Sequence, residues 1–384
     1  MAMDRIYLDH NATTPLDPRV LEAMRPWLEG AFGNPSSLHW YGQRARAAVE
    51  QARGQVASLI GAAAPEVVFT GSGTEADNLA LRGAVAAAPL SRRTVLVSAV
   101  EHHAVLNTAK ALSREGVPVA VVPVDADGRI DLDHLRARLD ETTALLSLMR
   151  ANNETGVLLP VAEAAALARA AGALVHCDAV QAAGKVDLDV NELGCHLLSL
   201  SAHKIYGPQG MGALYVRRDT PMQSLVRGGA QERNRRAGTE NVAGIVGFGR
   251  AAEIARAELA RERVLFASLR ERLQGLLLAI PGARVNGAEP RVPNTTNVSF
   301  EGADAEGVLM ALDLAGIAVS TGAACAAGAP EPSHVLVAMG LPEARVQTSL
   351  RFSLGRSTTE GAVDRAAAAV REAVARQRAH APTP

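Results

Sequence analysis

Residues 67–76 have the sequence VVFTGSGTEA, and this stretch decides the fold. Its first four residues form a short apolar run that is rich in β-branched side chains. Glycines at 71 and 73 then turn the chain, and a helical pattern continues from residue 75 to residue 88. A strand that passes through a glycine turn directly into a helix predicts one unit of an α/β fold.

The same alternation continues to about residue 217. Runs that are apolar throughout are separated by helix-period segments, several of them rich in alanine. These runs cover residues 94–99, 117–124, 144–149, 173–177, 196–200 and 212–217. Strands that are apolar on both faces, with helices between them, are typical of a mostly parallel sheet covered by helices. We therefore expect a large α/β domain built on such a sheet.

A long helical pattern at 242–278 leads into a second region, in which the order of elements changes. The predicted elements are strands at 297–300, 317–320 and 347–353, a helix at 305–315 and a C-terminal helix. This order predicts a smaller α+β domain. We expect the large domain to cover residues 15–255, and the small domain to cover residues 1–14 and 256–384.

The overall composition excludes several classes of protein. The chain has 384 residues, 48% hydrophobic content and a net charge of −1, so neither a nucleic-acid platform nor a membrane protein is expected. The N-terminus has no apolar segment of the kind that a signal peptide needs. The three cysteines (Cys177, Cys195 and Cys325) have no spacing typical of a metal site or a disulfide framework. We expect a cytoplasmic protein with reduced cysteines and no metal.

Lysine is almost absent from this chain. Only Lys110, Lys185 and Lys204 stand among 39 basic residues, and the others are arginines. A guanidinium stays protonated, whereas an amine can lose its proton and form a Schiff base. Lys204 follows an apolar strand in the run SAHKIYGP at 201–208. It is therefore a candidate covalent anchor, and an ordinary surface cation is the alternative.

The glycine turn at 71–74 is suited to a phosphate. Gly73 lets the backbone approach a ligand, the helix N-terminus offers free N–H groups, and Ser72 and Thr74 add hydroxyls. A dinucleotide fingerprint is the rival interpretation. That motif needs an acidic residue about 20 positions later, at the end of the next strand. The nearest acid beyond that strand is Glu101, which weakens the rival without excluding it.

Two further polar residues follow apolar strands. Asp178 lies at a carboxyl end, where such sheets place ligands, and could hold a protonated heterocyclic nitrogen or cap a helix. His102 could stack on a cofactor ring or be a hydrogen-bonded core histidine. A phosphate cradle, an acid and Lys204 at strand ends match the phosphate, nitrogen and aldehyde of pyridoxal 5′-phosphate.

The cysteines differ in their surroundings. Cys325 stands among glycines and alanines at 320–330, a composition that predicts an accessible loop. Cys177 and Cys195 lie in apolar runs and are interpreted as packing residues. Arg351 alternates with apolar residues in a predicted strand, and it could bind a carboxylate or form a surface ion pair.

Taken together, these motifs make the chain resemble a cysteine desulfurase of the class V aminotransferase family over nearly its whole length. The matching segments are YLDHNATT at 7–14, NPSSLH at 34–39, EHHAV at 101–105, NNETG at 152–156, DAVQ at 178–181, SAHKIYGP at 201–208, RAGTEN at 236–241 and RFSLGR at 351–356. The resemblance implies the aspartate-aminotransferase-like fold of pyridoxal-phosphate enzymes of fold type I, with a seven-stranded sheet.

The resemblance also implies a role for each matching residue. Lys204 would carry pyridoxal phosphate covalently, with His102 stacked on the ring, Asp178 at the pyridine nitrogen and Gln181 at the phenolic oxygen. Gly73, Thr74, Ser201 and His203 would hold the phosphate, joined by Thr239 from the other subunit of a homodimer. Asn153 and Arg351 would bind the substrate carboxylate. Cys325 would accept the sulfur, although Ala323, Ala326 and Ala327 stand where family members often carry hydroxyl residues.

The expected reaction converts L-cysteine to L-alanine and leaves a persulfide on Cys325. The persulfide sulfur would pass to an acceptor protein, for iron–sulfur cluster assembly or tRNA thiolation. A selenocysteine lyase, or another pyridoxal-phosphate lyase of the same fold, is the alternative, and it would not need Cys325. A non-catalytic sulfur carrier is disfavoured because the cofactor residues are retained.

Overall fold

The computed structural model describes residues 5–322 and 332–380. In these residues the strands are β1 Ile6–Tyr7, β2 Val67–Thr70, β3 Thr94–Ser98, β4 Val119–Val122, β5 Thr143–Ser147, β6 Leu174–Asp178, β7 Leu197–Ser201, β8 Gly212–Val216, β9 Ala283–Val285, β10 Thr295–Phe300, β11 Ile317–Ala318 and β12 Ser349–Ser353. The longer helices are α1 Pro18–Glu29, α2 Trp40–Leu59, α3 Gly73–Ala87, α4 His103–Arg114, α5 Leu132–Arg138, α6 Val161–Ala170, α9 Val242–Leu278, α10 Ala305–Leu314 and α13 Glu360–His380. The short helices are α7 Val190–Leu193, α8 Gln231–Asn234, α11 His334–Ala338 and α12 Glu343–Val346.

The largest sheet has seven strands in the order β2-β8-β7-β6-β5-β3-β4. The strands from β7 to β4 are parallel, whereas β8 runs antiparallel to both β2 and β7. All five residues of β5, β7 and β8 are buried, so these strands are covered on both faces. Because the parallel strands share a direction, their carboxyl ends meet at one edge of the sheet.

Two apolar cores cover this sheet. One contains Phe69 and Leu146 together with Phe248 of α9, and the other contains Leu79 and Val97. The helices contribute to these cores through their apolar faces. In α3, for example, the buried positions recur at helical spacing.

A separate core lies under a three-stranded antiparallel sheet in the order β12-β10-β9. It joins Leu8 near the N-terminus to Val298 of β10 and Val363 of α13. Helix α9 spans both parts of the molecule, because Phe248 packs in the large-domain core and Leu273 in this one. The expected boundary at residues 255 and 256 therefore falls inside a continuous helix.

The predicted fold class is confirmed, and the element boundaries are corrected in places. Strand β4 is shorter than the predicted run 117–124 because Pro118 and Pro123 flank it, and proline cannot donate to the ladder. Helices α1 and α2 and strand β9 were not among the predicted elements. No helix in the described residues is both long enough and apolar enough to cross a bilayer.

Candidate functional site

A cavity of about 390 Å³ opens at the carboxyl ends of the parallel strands. Residues from both domains line it. The large domain contributes Ser72, Gly73, Thr74, Asp77, His102, His103, Met149, Asn153, Glu154, Asp178, Val180, Gln181, Ser201, His203 and Lys204, and the rest of the chain contributes Asn11, Ala12, Ser320, Gly322, His334 and Arg351. This is the edge of the sheet where α/β folds bind ligands.

Lys204 stands one short turn beyond β7, at the end of a 3₁₀ turn over residues 202–204. Its Nζ donates to the carbonyl oxygens of Asn11, at 2.5 Å, and Ala12, at 2.7 Å. Burial lowers the pKa of the Lys204 amine to about 8, and the nearby Arg351 charge lowers it further, against the opposing charges of two carboxylates. An amine with this pKa reaches its neutral, nucleophilic form close to neutral pH.

Asp178 is the last residue of β6 and lies beside Ser199 of β7. Its Oδ1 accepts a hydrogen bond from the Val180 amide at 2.9 Å, which fixes the carboxyl group at the cavity wall. Burial raises the pKa of Asp178 to about 6, although the Lys204 charge opposes this shift. Asp77 also lines the cavity, and burial followed by the Asp178 charge raises the pKa of Asp77 well above its ordinary value. Burial disfavours the negative charge of the Asp178 carboxyl, and a positive partner offsets that cost. Asp178 is therefore suited to hold a cationic group in the cavity.

The N-terminus of α3 forms an anion cradle at the other end of the cavity. Ser72 caps this 15-residue helix by accepting from the Glu75 amide at 3.0 Å. Gly73 is closely packed, since an added Cβ would lie 3.0 Å from Val180 Cγ2 and 3.2 Å from Ser201 Cβ. The free N–H groups of the first turn and the nearby Ser201 and His203 side chains suit a phosphate.

His102 caps helix α4, and its Nδ1 accepts from the Ala104 amide at 3.1 Å. Since Nδ1 is an acceptor, the proton of the neutral ring lies on Nε2. Burial, reinforced by the Lys204 charge, lowers the pKa of His102 to about 4, so the ring is neutral at physiological pH. A neutral, polarisable ring on the cavity wall is suited to stacking on a flat heterocycle.

Two polar atoms on the opposite side of the cavity have no hydrogen-bond partner in the described part of the chain. They are Arg351 Nε and Asn153 Oδ1, and both are buried. The Arg351 guanidinium is otherwise bound to Asp9 at 2.7 Å and to the Asn153 carbonyl at 3.0 Å. Buried groups of this kind normally have partners, so the arrangement fits a polar ligand.

Gln181 belongs to the same wall. Its Nε2 donates to the Asn11 carbonyl at 2.9 Å, and its Oε1 accepts from Lys185 Nζ at 2.7 Å. The residues present therefore fit a phosphorylated heterocycle with a basic nitrogen. Within residues 5–322 and 332–380, no group of three His, Cys, Asp or Glu side chains is close enough to hold a metal ion.

The structure brings most of the predicted site residues into this one cavity. They are Gly73, Thr74, His102, Asn153, Asp178, Gln181, Ser201, His203, Lys204 and Arg351. Cys325 lies outside the described residues. Thr239 is exposed and is not among the residues that line the cavity.

Sequence reasoning did not select Asn11, Asp77, Glu154 or Lys185. Asn11 and Glu154 stand inside segments that carried the family resemblance, so the signal was present in the sequence. Lys185 had the same signal as Lys204, since both are lysines in a chain that almost always uses arginine. Asp77 lies on α3 and gave no signal of its own.

Comparison with known proteins places this arrangement in context. Residues 6–366 match the family model Aminotransferase class-V. The chain is 53% identical to a cysteine desulfurase of Cereibacter sphaeroides, with 94% of each sequence covered. It is 48% identical to a cysteine desulfurase of Trichormus azollae, over 99% of this chain and 95% of that one.

Solved structures agree with the sequence relatives. A NifS-like protein superposes with a TM-score of 0.91 at 38% identity, covering 97% of this chain and 99% of that one. A NifS-like protein from Rickettsia africae superposes with a TM-score of 0.86 at 33% identity, covering 96% of this chain and 99% of that one.

Proposed function

The chain belongs to the class-V aminotransferase family, and we propose that it is a pyridoxal-phosphate-dependent cysteine desulfurase. One observation carries the proposal. Lys204, Asp178 and the N-terminus of α3 converge on a single cavity at the strand ends, and these three groups suit the aldehyde, the ring nitrogen and the phosphate of this cofactor. When bound, pyridoxal phosphate supplies an electron sink for the pair released from the substrate.

Each part of the cofactor has a candidate partner in this chain. Lys204 would hold it covalently through Nζ, and Asp178 would keep the ring nitrogen protonated. His102 would stack on the ring, and Gln181 would donate from Nε2 to the phenolic oxygen. The phosphate would be held by a larger set, namely Gly73, Thr74, Ser201 and His203. The positions of these residues around one cavity support these roles.

Lys204 also serves as the general base. Because its pKa is lowered to about 8, a substantial fraction of the amine is neutral near pH 8. With the substrate bound in the cavity, Lys204 Nζ would remove the substrate α-proton. Asn153 and Arg351 would bind the substrate carboxylate, and the unpaired Arg351 Nε supports this role.

Sulfur transfer requires a thiolate, which Cys325 would provide. Its sulfur attacks the substrate sulfur, and an S–S bond forms as the substrate Cβ–S bond breaks. The electron pair of the broken bond stays with the substrate carbon, which is protonated and leaves as L-alanine. The persulfide on Cys325 then passes its outer sulfur to an acceptor protein, which would serve iron–sulfur cluster assembly or tRNA thiolation.

We also propose a homodimer in which Thr239 completes the partner's phosphate site. Thr239 is exposed within its own subunit. An exposed aromatic patch supports an interface, since Phe32 and Tyr41 stack at 4.9 Å and Trp40 meets Tyr41 edge-on at 5.0 Å. Large exposed apolar patches often mark interaction surfaces.

The test measures L-alanine, sulfide and the visible spectrum for wild type and Cys325→Ala. The variant is expected to bind cofactor and to change its absorption when L-cysteine is added. It should release neither alanine nor sulfide at more than about one hundredth of the wild-type rate. Sulfide release at the wild-type rate would instead establish the lyase alternative. Wild-type protein with no aldehyde-derived absorption band after reconstitution would contradict the cofactor assignment.

A further inference from the structure

We propose that Lys185 is a positioning residue for the cofactor site. It lies behind the cavity wall and fixes the side-chain amide of Gln181 and, through it, the main chain of Asn11. It is not among the residues that line the cavity. The inference rests on the proposed function at one point, since Gln181 is the residue through which Lys185 would act on the cofactor.

Lys185 is a buried amine without a carboxylate partner in the described residues. Only 6% of its surface is exposed. Its Nζ donates to Gln181 Oε1 at 2.7 Å and more distantly to Asn11 Oδ1 at 3.5 Å. Burial lowers the pKa of Lys185 to about 7, and the charges of Lys204 and Arg351 lower it further. Burying such a group costs free energy, so folding stability alone does not explain its presence.

The bond to Lys185 decides which way the Gln181 amide faces. In its protonated form the Lys185 amine has donors and no acceptor, so it must meet the amide oxygen. Once Oε1 faces Lys185, Nε2 lies on the other side and donates to the Asn11 carbonyl at 2.9 Å. A flipped amide would place its NH₂ group against the ammonium. Lys185 therefore keeps the Gln181 donor turned toward Asn11, which lines the cavity.

The Asn11 carbonyl connects this pair to Lys204. It accepts from both Gln181 Nε2 and Lys204 Nζ, the latter at 2.5 Å. The rest of Asn11 is held as well. Its backbone N–H donates to Ser353 Oγ at 2.9 Å, and its side-chain Nδ2 donates to Thr295 Oγ1 at 2.9 Å. A chain of hydrogen bonds thus runs from Lys185 through Gln181 and Asn11 to the residue that binds the cofactor.

The space around Lys185 is narrow. A second cavity, of about 10 Å³, is lined by Lys185, Lys204, His10 and Tyr206. This space holds no more than one water molecule, so it adds little room for the wider guanidinium of an arginine. The chain uses arginine almost everywhere else, and the limited space and the single nitrogen that Gln181 meets both favour a lysine here.

A double-mutant cycle tests the inference on holoenzyme reconstituted with pyridoxal phosphate. The variants are Lys185→Met, which keeps the length of the side chain without its donors, Gln181→Ala, and the pair. Lys185→Met is expected to shift the visible absorption band of the bound cofactor and to lower kcat about tenfold, with KM changed by less than about twofold. In the Gln181→Ala background the same change should have no further effect on either quantity.

The matched control is Lys110→Met, on the exposed side of α4, which should leave the band and kcat unchanged. Additive effects in the cycle would overturn the inference, as would a lower melting temperature with an unchanged band. If Lys185→Met does not fold, Lys185→Gln is measured in the same cycle. Wild-type holoenzyme without cysteine turnover would count against the proposed function, whereas the absorption cycle would still report on Lys185.

Discussion

Two sides of the cavity are built in different ways. The strand wall, consisting of Gly73, Asp178, Ser201 and Lys204, takes its positions from the regular backbone of β6, β7 and α3. The rim, consisting of Glu154, Gly322, Ser333 and His334, depends on contacts between individual groups. Ser333 Oγ donates to Glu154 Oε2, and His334 Nε2 lies 2.9 Å from the Glu101 carbonyl.

The two sides therefore differ in what holds their side chains in position. The strand wall faces a cofactor whose parts must meet fixed partners, and parallel strands provide that rigidity. The rim residues Gly322 and Ser333 flank segment 323–331, which carries Cys325 and lies outside the described residues. Glu154 contacts Ser333, and a side chain at 322 would meet it at 2.8 Å. The rim therefore depends on contacts between side chains that are far apart in the sequence, whereas the strand wall takes its positions from backbone geometry.

The largest effect is expected when the strand wall loses its anchor. Lys204→Ala would remove both the proposed covalent link and the proposed general base, so turnover of L-cysteine should fall on the order of 10⁴-fold or more. Borohydride reduction should fix the cofactor to wild type and leave the variant unlabelled, as mass spectrometry would show. Exposed Lys110→Ala serves as the control. A variant with one tenth of wild-type turnover would show that the anchor lies elsewhere.

A smaller loss is expected from Asp178→Asn. The amide keeps the shape of the side chain but no longer holds a proton on the ring nitrogen, so kcat should fall about 10³-fold while the protein still binds cofactor. Steady-state kinetics and the absorption spectrum measure the two effects separately. Unchanged kcat would remove Asp178 from the catalytic role and leave it as the acceptor for the Val180 amide.

The rim should respond to pH through Glu154. Burial raises the pKa of its carboxyl from 4.5 to about 7, against the opposing effects of the Ser333 hydroxyl and the Arg351 charge. The folded protein therefore holds this proton more tightly than the unfolded chain. As pH rises from about 4.5 to about 7, Glu154 lowers the free energy of unfolding by up to about 3 kcal/mol.

Glu154→Gln tests that dependence because glutamine does not titrate. The free energy of unfolding of the variant minus that of wild type should rise by roughly 2 to 3 kcal/mol between pH 4.5 and pH 7.5. Urea unfolding at a series of pH values measures it, with exposed Glu163→Gln as the control. A difference that stays flat over this range would show that the rim carboxyl does not titrate there.

The smallest effect concerns a residue outside both sides. Thr239→Ala should weaken pyridoxal-phosphate affinity about threefold to tenfold, as the loss of one hydrogen bond to phosphate predicts. Mixed dimers give the sharper test. In a dimer of one Lys204→Ala and one Thr239→Ala subunit, the second subunit's site keeps Lys204 and receives an intact threonine. That site should bind with wild-type affinity, and weak binding would show that Thr239 acts within its own subunit.

The sequence predicted the strand wall better than the rim, for a physical reason. Gly73, Asp178 and Lys204 each follow a strand in a repeating pattern, and parallel strands must bring their ends together. Glu154 and Ser333 are 179 residues apart and meet only in the folded chain. No local periodicity encodes such a contact, and the same holds for Lys185 and Asn11, which are 174 residues apart.

The fold shows the same division between local and distant signals. The strand–helix alternation after residue 67 was sufficient to predict a mostly parallel sheet covered by helices, because burial on both faces leaves continuous apolar runs. Helix α2 gave no such signal, and its buried Arg53 is held by an ion pair with Glu232 at 2.6 Å. That pair joins residues far apart in the chain, so only the folded structure reveals why an arginine can be buried there.

Helix α9 runs uninterrupted for 37 residues, or about 55 Å, from the core around Phe248 to the core around Leu273. Because one continuous helix contributes to both cores, the two cores should unfold together. Neither core can lose its end of the helix without exposing apolar surface. Heating should therefore produce one calorimetric transition for the whole chain rather than two. The core around Leu273 in this sense depends on the core around Phe248, and a fragment that ends near residue 255 would lose 23 of the 37 residues of this helix and its cooperative unfolding.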